Sequence, residues 1–331
     1  MTAKGVEDLA DGIRRGDRRA LARAITLAES SRADHRAEAE ALEARLLADA
    51  GRSVRLGISG VPGVGKSTFI EAFGLELIDR GHKVAVLAVD PSSKRSGGSV
   101  LGDKTRMEQL ARADAAFIRP SPTGGTLGGV ARRTREAMLL CEAAGFDVII
   151  VETVGVGQSE TAVADLVDLF LLLLLPGGGD ELQGLKRGIV ELADILVVNK
   201  ADGELEAAAG RAAAEYANAV RLLPPSHEGW QPPVLTCSAK TGKGIAEVWA
   251  EVARFREAFG PSGAIADTRA RQAQAWMWNE ISETLMARFK AHPAVAGQAT
   301  ALGAKVRAGL MTPAAAARAL MAAFLGDGEK R

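Results

Sequence analysis

The sequence predicts an α/β fold, a P-loop nucleotide-binding domain on a mainly parallel, doubly wound sheet, with helical additions at both ends. Three observations carry this prediction. Seven short aliphatic runs alternate with helical patterns and read as continuously apolar, as strands of a parallel sheet covered on both faces do. The first run leads directly into a glycine-rich segment that ends in Lys66 and Ser67. The 331 residues exceed one typical domain, which leaves room for the additions.

Composition and charge exclude several kinds of partner and location. Lys plus Arg and Asp plus Glu both number 41, so there is no basic excess to neutralise nucleic-acid phosphates or anionic lipid, and we expect no nucleic-acid or membrane partner. Residues 1–11 lack the apolar core of a secretory signal, and residues 166–175 include Asp168 and are too short to span a bilayer. Cys141 and Cys237 lack CxxC spacing, which predicts buried free thiols in a cytoplasmic protein.

The chain divides into three predicted segments. Residues 1–50 have apolar residues at helical spacing and predict an N-terminal helical arm, with Asp17 as a helix N-cap. Residues 51–260 hold the alternating strand and helix pattern and close with a glycine, proline and serine breaker cluster. Residues 261–331 predict a C-terminal helical extension, with a long helical pattern at residues 268–290 that His292 and Pro293 interrupt. Its last helix is predicted to have Thr312 as N-cap and Pro313 in its first turn. The predicted strands are residues 54–59, 83–89, 115–119, 148–151, 169–175, 195–198 and 234–236.

The phosphate site is predicted by a GxxxxGK[ST] sequence between a strand pattern and a helix pattern. Its glycines let backbone N–H groups surround phosphates, and the following helix directs its positive end at them. Lys66 is expected to reach the β and γ phosphates, and the Ser67 hydroxyl to bind Mg2+. A glycine-rich turn that only resembles a P-loop is the alternative, which the strand and helix context disfavours. The predicted contacts are Gly60, Gly63, Val64, Gly65, Lys66, Ser67 and Thr68.

Three acidic residues are candidates for the metal and for catalysis, together with Lys66. Glu152 closes an apolar strand where P-loop enzymes place the carboxylate that holds Mg2+ through water, although Glu stands here in place of the usual Asp. Asp90 and Asp103 are expected to complete the metal shell or to orient the attacking water, with helix capping as the alternative for each. The N–H of Gly155 is expected at the γ phosphate.

The base site is predicted by an NKxD sequence after one strand and an SAK sequence after the next. The Asp202 carboxylate can accept from both N1–H and the 2-amino group of guanine, a donor pair that adenine lacks. Asn199 is expected to brace the loops, Lys200 to lie along the base, and the Ala239 N–H to meet the guanine oxygen. An ordinary surface turn is the alternative for NKxD alone. The predicted contacts are Asn199, Lys200, Asp202, Ser238, Ala239 and Lys240.

Several segments together carry a family resemblance. These are residues 60–67, the DPSS sequence at 90–93, the ETVGVGQSE sequence at 152–160, the NKxD sequence and the glycine-rich loop at 177–184. They resemble the MeaB/ArgK group of SIMIBI-class P-loop GTPases over nearly the whole chain. Members of this group are also similar to the methylmalonic aciduria type A protein.

The resemblance implies a homodimeric GTPase chaperone of methylmalonyl-CoA mutase, the adenosylcobalamin-dependent enzyme. GTP binding and hydrolysis would gate cofactor delivery to the mutase and protect it from inactivation. The loop at residues 177–187 resembles an extra switch that couples partner to nucleotide, and a plain loop before a solvated helix face is the alternative. The candidate switch residues are Asp180, Gln183, Lys186 and Arg187.

The aromatic-rich C-terminal helix, with Trp276, Trp278, Leu285 and Phe289, fits either an intramolecular cap or a subunit interface. The resemblance favours the interface. No catalytic glutamine directly follows Gly155, so slow intrinsic hydrolysis, accelerated by a partner, is our hypothesis.

Two other functions compete. A transport-associated ATPase or kinase, a label attached to ArgK-like relatives, is disfavoured by the guanine motifs. A metallochaperone GTPase would want a His-rich or Cys-rich tract, whereas the four histidines are scattered: His35, His82, His227 and His292.

Overall fold

The computed structural model describes residues 3–30, 32–89, 107–120, 127–153, 159–177 and 187–326, and every structural statement below concerns these residues. Two compact units are present, residues 1–269 and residues 270–331. The first unit contains the sheet, the predicted N-terminal arm and the beginning of the C-terminal extension.

One sheet of seven parallel strands organises the first unit. Its spatial order is β3-β2-β4-β1-β5-β6-β7, so β1 lies at the centre between β4 and β5. All seven predicted strands are confirmed. The strands are β1 (Val54–Gly60), β2 (Val84–Val89), β3 (Ala116–Arg119), β4 (Val148–Thr153), β5 (Leu169–Leu174), β6 (Ile195–Val198) and β7 (Val234–Thr236).

Thirteen helices accompany the sheet in the described residues. They are α1 (Ala3–Arg14), α2 (Arg18–Ala28), α3 (Ala33–Leu46), α4 (Lys66–Asp79), α5 (Glu108–Arg112), α6 (Leu127–Ala143), α7 (Ser159–Ala164), α8 (Arg187–Leu192), α9 (Glu206–Val220), α10 (Ile245–Phe259), α11 (Ala264–Ala291), α12 (Pro293–Arg307) and α13 (Pro313–Gly326). Short 3-10 turns occupy Leu47–Asp49 and Gly203–Leu205. The connection from strand to helix to parallel strand repeats along the chain, as the alternating sequence pattern requires.

The three N-terminal helices pack on one another and on α6, so the predicted arm lies within the first compact unit. The Asp17 side chain accepts hydrogen bonds from the N–H groups of Arg19 and Ala20 at 2.8 and 3.3 Å, which confirms the predicted N-cap of α2. A bidentate ion pair between Glu29, after α2, and Arg119 of β3 ties this layer to the sheet.

The main core lies between one face of the sheet and the helices α4 and α10. Side chains alternate along each strand, and Ile58 and Ile150 from adjacent central strands share this face with Phe69 and Phe73 of α4. All these side chains are fully buried. The core therefore fixes α4, and with it the P-loop, against the central strand β1.

Charged groups meet at the amino-terminal edge of the sheet, the end opposite to the P-loop. Glu142 of α6 accepts hydrogen bonds from Nε and Nη2 of Arg55, both at 2.9 Å, and it also accepts from the Ser53 hydroxyl and the Gly51 N–H. Burial alone would raise the pKa of Glu142, but the hydrogen bonds and charge of Arg55, with those from Ser53 and Gly51, hold it below its usual range.

A second pair completes this edge. Arg269 of α11 donates to both oxygens of Asp168 at 2.7 and 2.6 Å. Its remaining donors reach the carbonyl oxygens of Gly51 and Ser53, each at 2.6 Å. Asp168 also accepts from the Arg55 N–H at 2.9 Å. Because all these groups are paired, the ends of β1, β5 and α11 are held together by charge-assisted hydrogen bonds.

The second unit is helical. The long helix ends at Ala291 and the next begins at Pro293, which confirms the predicted interruption, and the N–H of Ala315 donates to Thr312 Oγ1, which confirms the predicted cap. Helix α12 was not predicted from the sequence. The rings of Phe289 and Phe324 meet edge to face at 5.3 Å. None of the helices in the described ranges combines the length and apolarity needed to cross a membrane.

Candidate functional site

The P-loop lies between β1 and α4, where a turn needs backbone conformations that favour glycine. Gly63 and Gly65 have φ values of 82° and 92°. A Cβ on Gly60 would lie 2.6 Å from the Leu173 carbonyl oxygen, so the loop leaves the sheet in close contact with β5. Val64 is fully buried and anchors the loop in the core. The strand, loop and helix predicted from the motif are all present.

Lys66 begins α4 and folds back over the loop. Its Nζ donates to the Gly60 carbonyl oxygen at 2.7 Å. This contact holds the ammonium group against the start of the P-loop, and the phosphates of a bound nucleotide would add their oxygens to its partners. Ser67 lies in the first helical turn and is partly exposed, and Thr68 beside it is exposed. The amino-terminal end of α4 thus offers N–H groups, a hydroxyl and an ammonium group at one place.

Asn199 joins the phosphate loop to both parts of the base site. It follows β6 and is buried, with 1% of its surface exposed. Its Nδ2 donates to the Val64 carbonyl oxygen at 2.9 Å, and its Oδ1 accepts from the Ala239 N–H at 3.1 Å. The P-loop approaches so closely that a Cβ on Gly65 would lie 2.9 Å from Nδ2. The predicted bracing role of Asn199 therefore corresponds to two direct hydrogen bonds.

Lys200 makes another hydrogen bond between the base-site loop after β6 and the P-loop. It has a left-handed backbone, with φ of 62°, which is uncommon for a residue other than glycine. Its Nζ donates to the Gly63 carbonyl oxygen at 2.6 Å, so the aliphatic stem spans from the base loop to the P-loop. This position fits the predicted contact along the plane of a base.

Asp202 is oriented by the SAK loop. Ser238 is completely buried, its Oγ donates to Asp202 Oδ1 at 2.7 Å, and it accepts from the Thr241 N–H at 3.2 Å. Asp202 itself is partly exposed, so the carboxylate is held on one side and accessible on the other. Lys240, also predicted in this site, is exposed. A carboxylate fixed in this way can accept two donors from one edge of a base.

The Ala239 N–H has a partner that the sequence did not predict. The sequence predicts that it meets the guanine oxygen, whereas in the structure it donates to Asn199. Cys237, one residue before Ser238, also contacts Asn199 through its Sγ at 3.5 Å. Burial raises the pKa of the Cys237 thiol to about 12, so the thiol stays protonated and acts as a weak donor. Both cysteines are free and buried, as predicted.

Two structural features of this site were not predicted from the motifs. Val64 was predicted as a phosphate contact, but the hydrogen bond from Asn199 to its carbonyl oxygen acts through the backbone, which no side-chain pattern reveals. Gly244 has φ of 80°, and a Cβ there would lie 2.4 Å from the Thr236 carbonyl oxygen, so the helix after the SAK loop starts in close contact with β7. A glycine before an apolar helical pattern was the available signal.

Glu152 lies in β4 beside the central strand. It is aligned with Ile58 of β1 and Ala88 of β2, and only 4% of its surface is exposed. Because side chains alternate, Glu152 shares the sheet face of Ile58 and Ile150, the face covered by α4. Its neighbour Thr153, on the other face, donates to Ser59 at 2.8 Å. Glu152 thus lies on the P-loop side near the carboxyl end of β4.

The other acidic candidates and the γ-phosphate glycine, Asp90, Asp103 and Gly155, lie outside the described residues. The same holds for the switch candidates Asp180, Gln183 and Lys186. Arg187 starts α8, but its side chain is not among the described groups. Among the residues that are described, no group of three or more His, Cys, Asp or Glu side chains could hold a metal ion.

Taken together, the carboxyl ends of β1 and β6 and the loop after β7 form one site at one edge of the sheet, the edge at which open α/β sheets bind ligands. One end of the site presents N–H groups, Lys66 and Ser67, which suit phosphates. The other presents an oriented carboxylate, which suits a base with adjacent donors. The hydrogen bonds of Asn199 hold the two ends at a fixed separation.

Comparisons with known proteins found similar sequences and structures. The family model described as methylmalonyl Co-A mutase-associated GTPase MeaB matches residues 21–294. A putative GTPase of Caulobacter vibrioides is 59% identical over 98% of this chain and 99% of its own length. The methylmalonic aciduria type A homolog, mitochondrial, of Mus musculus is 50% identical over 96% of this chain and 79% of its own length.

Two further matches extend the comparison. The GTPase ArgK of Escherichia coli is 51% identical over 84% of this chain and 85% of its own length. A crystal structure described as a LAO/AO transport system kinase superposes with a TM-score of 0.78 at 39% identity, and the match covers 97% of this chain and 98% of that one.

Proposed function

This chain belongs to the family of methylmalonyl-CoA mutase-associated GTPases called MeaB, and from that premise we propose that it is a Mg2+-dependent GTPase chaperone of adenosylcobalamin-dependent methylmalonyl-CoA mutase. GTP hydrolysis itself follows from the family and from its relatives named as GTPases. Beyond hydrolysis, we propose the mutase as the client, Mg2+ as the metal, a homodimer as the assembly and a chaperone role. In that role, GTP binding and hydrolysis gate cofactor delivery to the mutase and protect it from inactivation.

The observation that carries the nucleotide part is the pair of hydrogen bonds made by Asn199. Its Nδ2 bonds Val64 of the P-loop and its Oδ1 bonds Ala239 of the SAK loop, so phosphate and base sites have one fixed spacing. Asp202, held by Ser238 at 2.7 Å, supplies the acceptor that selects guanine. An adenine base would leave that carboxylate without its two donors, which supports GTP over ATP.

The groups on the P-loop side of the sheet suit Mg2+. A hard cation of this kind prefers oxygen ligands, and Ser67 and Glu152 supply a hydroxyl and a carboxylate on the α4 side of the sheet. Ser67 would bind the ion directly and Glu152 through water, with Asp90 and Asp103 as further candidates. When bound with GTP, the ion would offset charge on the phosphate oxygens.

Side chains and backbone groups of this protein would bind and orient the phosphates for hydrolysis. Lys66, already drawn over the loop by the Gly60 carbonyl, would contact the β and γ phosphates and stabilise the charge that develops during transfer to water. Backbone N–H groups at the start of α4 would bind the same phosphates. The absence of a glutamine directly after Gly155 leaves the attacking water without an obvious orienting group, which supports slow hydrolysis that a partner accelerates.

The mutase is proposed as client because of the relatives. The matching family model carries the mutase in its description, and relatives from mouse and from Caenorhabditis elegans are named for methylmalonic aciduria type A. The switch residues Asp180, Gln183, Lys186 and Arg187 are proposed to couple the client to the nucleotide. Such a coupling requires the client to bind the GTP and GDP states with different affinities.

A homodimer is proposed from the surface of the second unit. Trp278, Ile281 and Leu285 follow one another at helical spacing on α11 and are 59%, 38% and 56% exposed. Trp276 and Phe289 of the same helix are only partly exposed, so the proposed interface does not rest on them. An exposed row that contains a tryptophan is typical of the apolar part of an interface.

GTP turnover by the purified protein, with and without adenosylcobalamin-dependent methylmalonyl-CoA mutase, tests the function. We expect slow GTP-specific turnover that rises with the mutase, and no turnover by Lys66→Ala. Turnover that ignores the mutase would refute the proposed client, and a preference for ATP would refute the base site. Fast hydrolysis by the isolated protein would contradict the partner-accelerated scheme.

Sedimentation of the purified protein tests the dimer. The Trp278→Glu and Leu285→Glu variants are expected to sediment as monomers. Leu222→Glu is the matched control, because Leu222 is 86% exposed in the first unit and has no place in the proposed interface. A monomeric wild-type protein, or a dimer unaffected by the first two variants, would contradict the assignment.

A further inference from the structure

A second cavity lies in the first unit, at the amino-terminal edge of the sheet. Its volume is about 580 Å3, within the range of pockets that hold small molecules. It is lined by the residues just before β1, by Asp168, by α10 from Trp249 onwards with the turn that follows, and by the first two turns of α11. Its apolar lining includes Trp249, Ala253 and Ile265, which we call the floor.

The shape of the cavity is held by groups that are already paired. Arg269 lines one wall and makes four hydrogen bonds, to Asp168 and to the carbonyl oxygens of Gly51 and Ser53. On the floor, the ring of Trp249 meets His82 at 4.9 Å. The wall and floor are therefore fixed before any ligand arrives, which lowers the cost of binding.

The rim carries an excess of positive charge. Arg52 and Arg256 line the cavity and are exposed, and in the described part of the chain neither guanidinium has a hydrogen bond or ion pair. Glu257 is the opposing acid on the rim. Since Asp168 and Arg269 compensate each other, one net positive charge remains over an apolar floor.

We propose that this cavity binds a small amphipathic anion, an organic acid with an aromatic or branched hydrocarbon body. The body would lie on Trp249, Ala253 and Ile265. The acid group would lie between Arg52 and Arg256, whose planar guanidinium groups suit a carboxylate or sulfonate bidentately.

The proposed site is separate from the nucleotide site. The cavity adjoins Ser53, one residue before β1, and the P-loop begins where β1 ends at Gly60. At about 3.3 Å per residue the strand places them roughly 20 Å apart. Binding in the cavity therefore does not compete with GDP or GTP.

Anilinonaphthalene sulfonate, an aromatic anion that fluoresces in apolar surroundings, is the probe for the test. We expect saturable binding to the full-length protein that Mg-GDP does not displace. The double variant Arg52→Gln, Arg256→Gln is expected to weaken binding by about tenfold or more, because charged hydrogen bonds are lost. Both residues are exposed, so the variant keeps its fold. Ala253→Leu, which fills the floor, is expected to weaken binding similarly.

Matched controls distinguish this site from other apolar surfaces. Arg254 lies on the same helix but stacks on Trp230 at 4.1 Å and does not line the cavity, so Arg254→Gln should bind the probe like the wild type. Phenyl naphthylamine, which lacks the sulfonate, should bind the wild type and the double variant equally. Displacement of the sulfonate probe by Mg-GDP, or equal binding of it by the wild type and the double variant, would overturn the proposal.

Discussion

Replacing Asp202 with asparagine is expected to change the preferred base from guanine to xanthine. One carboxylate oxygen becomes an amide NH2 group, while Ser238 continues to donate to the remaining oxygen, as it does now at 2.7 Å. That hydrogen bond fixes the orientation of the amide and turns its NH2 group towards the ligand. Xanthine carries an oxygen where guanine carries its 2-amino group, so the new donor finds an acceptor.

The magnitude follows from the hydrogen bond that guanine would lose. The amide oxygen can still accept from N1–H, but the new NH2 group faces the 2-amino group of guanine, so two donors oppose each other. A hydrogen bond to a charged group contributes about 1.5–3 kcal/mol, so GTP affinity is expected to fall by about 10–10²-fold or more. Xanthosine triphosphate makes both bonds only with the asparagine, so its affinity should rise in the variant.

Competition against a fluorescent GDP analogue for the wild type, and against the xanthine analogue for the variant, measures both affinities. Turnover of each triphosphate is measured in parallel. Ser238→Ala is the matched control, because it removes the group that orients Asp202 but leaves the carboxylate in place. A variant that loses GTP without gaining xanthosine triphosphate, or that retains GTP, would refute the assigned role of Asp202.

Three further changes test other parts of the structure. Gly65→Ala should weaken GDP binding by more than about tenfold, and by more than Gly63→Ala does. Both substitutions place an alanine at a positive φ, but only the Cβ at position 65 would meet the Asn199 amide, at 2.9 Å. Arg269→Met should lower the free energy of unfolding in urea by about 3–5 kcal/mol, because the buried Asp168 loses its partner. Burial, reinforced by nearby carboxylates, raises the pKa of Glu43 from 4.5 to about 7. The protonated side chain therefore contributes its full stabilisation below a pH of about 4.5, and up to about 3 kcal/mol of the free energy of unfolding is lost as pH rises through 7. Urea midpoints should show this slope in the wild type and lose it in Glu43→Gln.

Each of these changes has a result that would count against it. Equal effects of the two alanine variants would mean that the close contact with the base loop is unimportant. Unchanged urea stability of Arg269→Met would show that water compensates the carboxylate. A stability profile of Glu43→Gln parallel to that of the wild type would assign the slope to another group.

The fold was largely predictable because its information is local. Each buried strand is an unbroken apolar run, and β5 (Leu169–Leu174), read from residues 169–175, is the clearest case. The P-loop and NKxD motifs were equally readable, since their residues are adjacent in sequence. The structure adds their hydrogen bonds, while the nucleotide contacts inferred from the motifs stay predictions.

The contacts between motifs were not predictable from the sequence. Asn199 and Val64 are 135 residues apart, and nothing in either segment indicates a partner at that distance. The ion pair at the amino-terminal edge of the sheet was not predictable either, because in the sequence Asp168 looks like a solvent-exposed residue that interrupts an apolar run. Helix α12 was missed because a Pro293 start and an alanine-rich sequence with glycines give only a weak helical period.

The pairing of Asp168 with Arg269 has a consequence for the order in which the chain is made. A ribosome that has released the chain up to residue 260, where the sequence predicts the nucleotide domain to end, has supplied every described strand and both base-binding motifs. Asp168 has no partner at that stage, because Arg269 follows it in the chain by 101 residues. The sheet can therefore assemble during synthesis but acquires this ion pair only as the C-terminal helix emerges, and a chain cut at residue 260 would keep a buried, uncompensated charge.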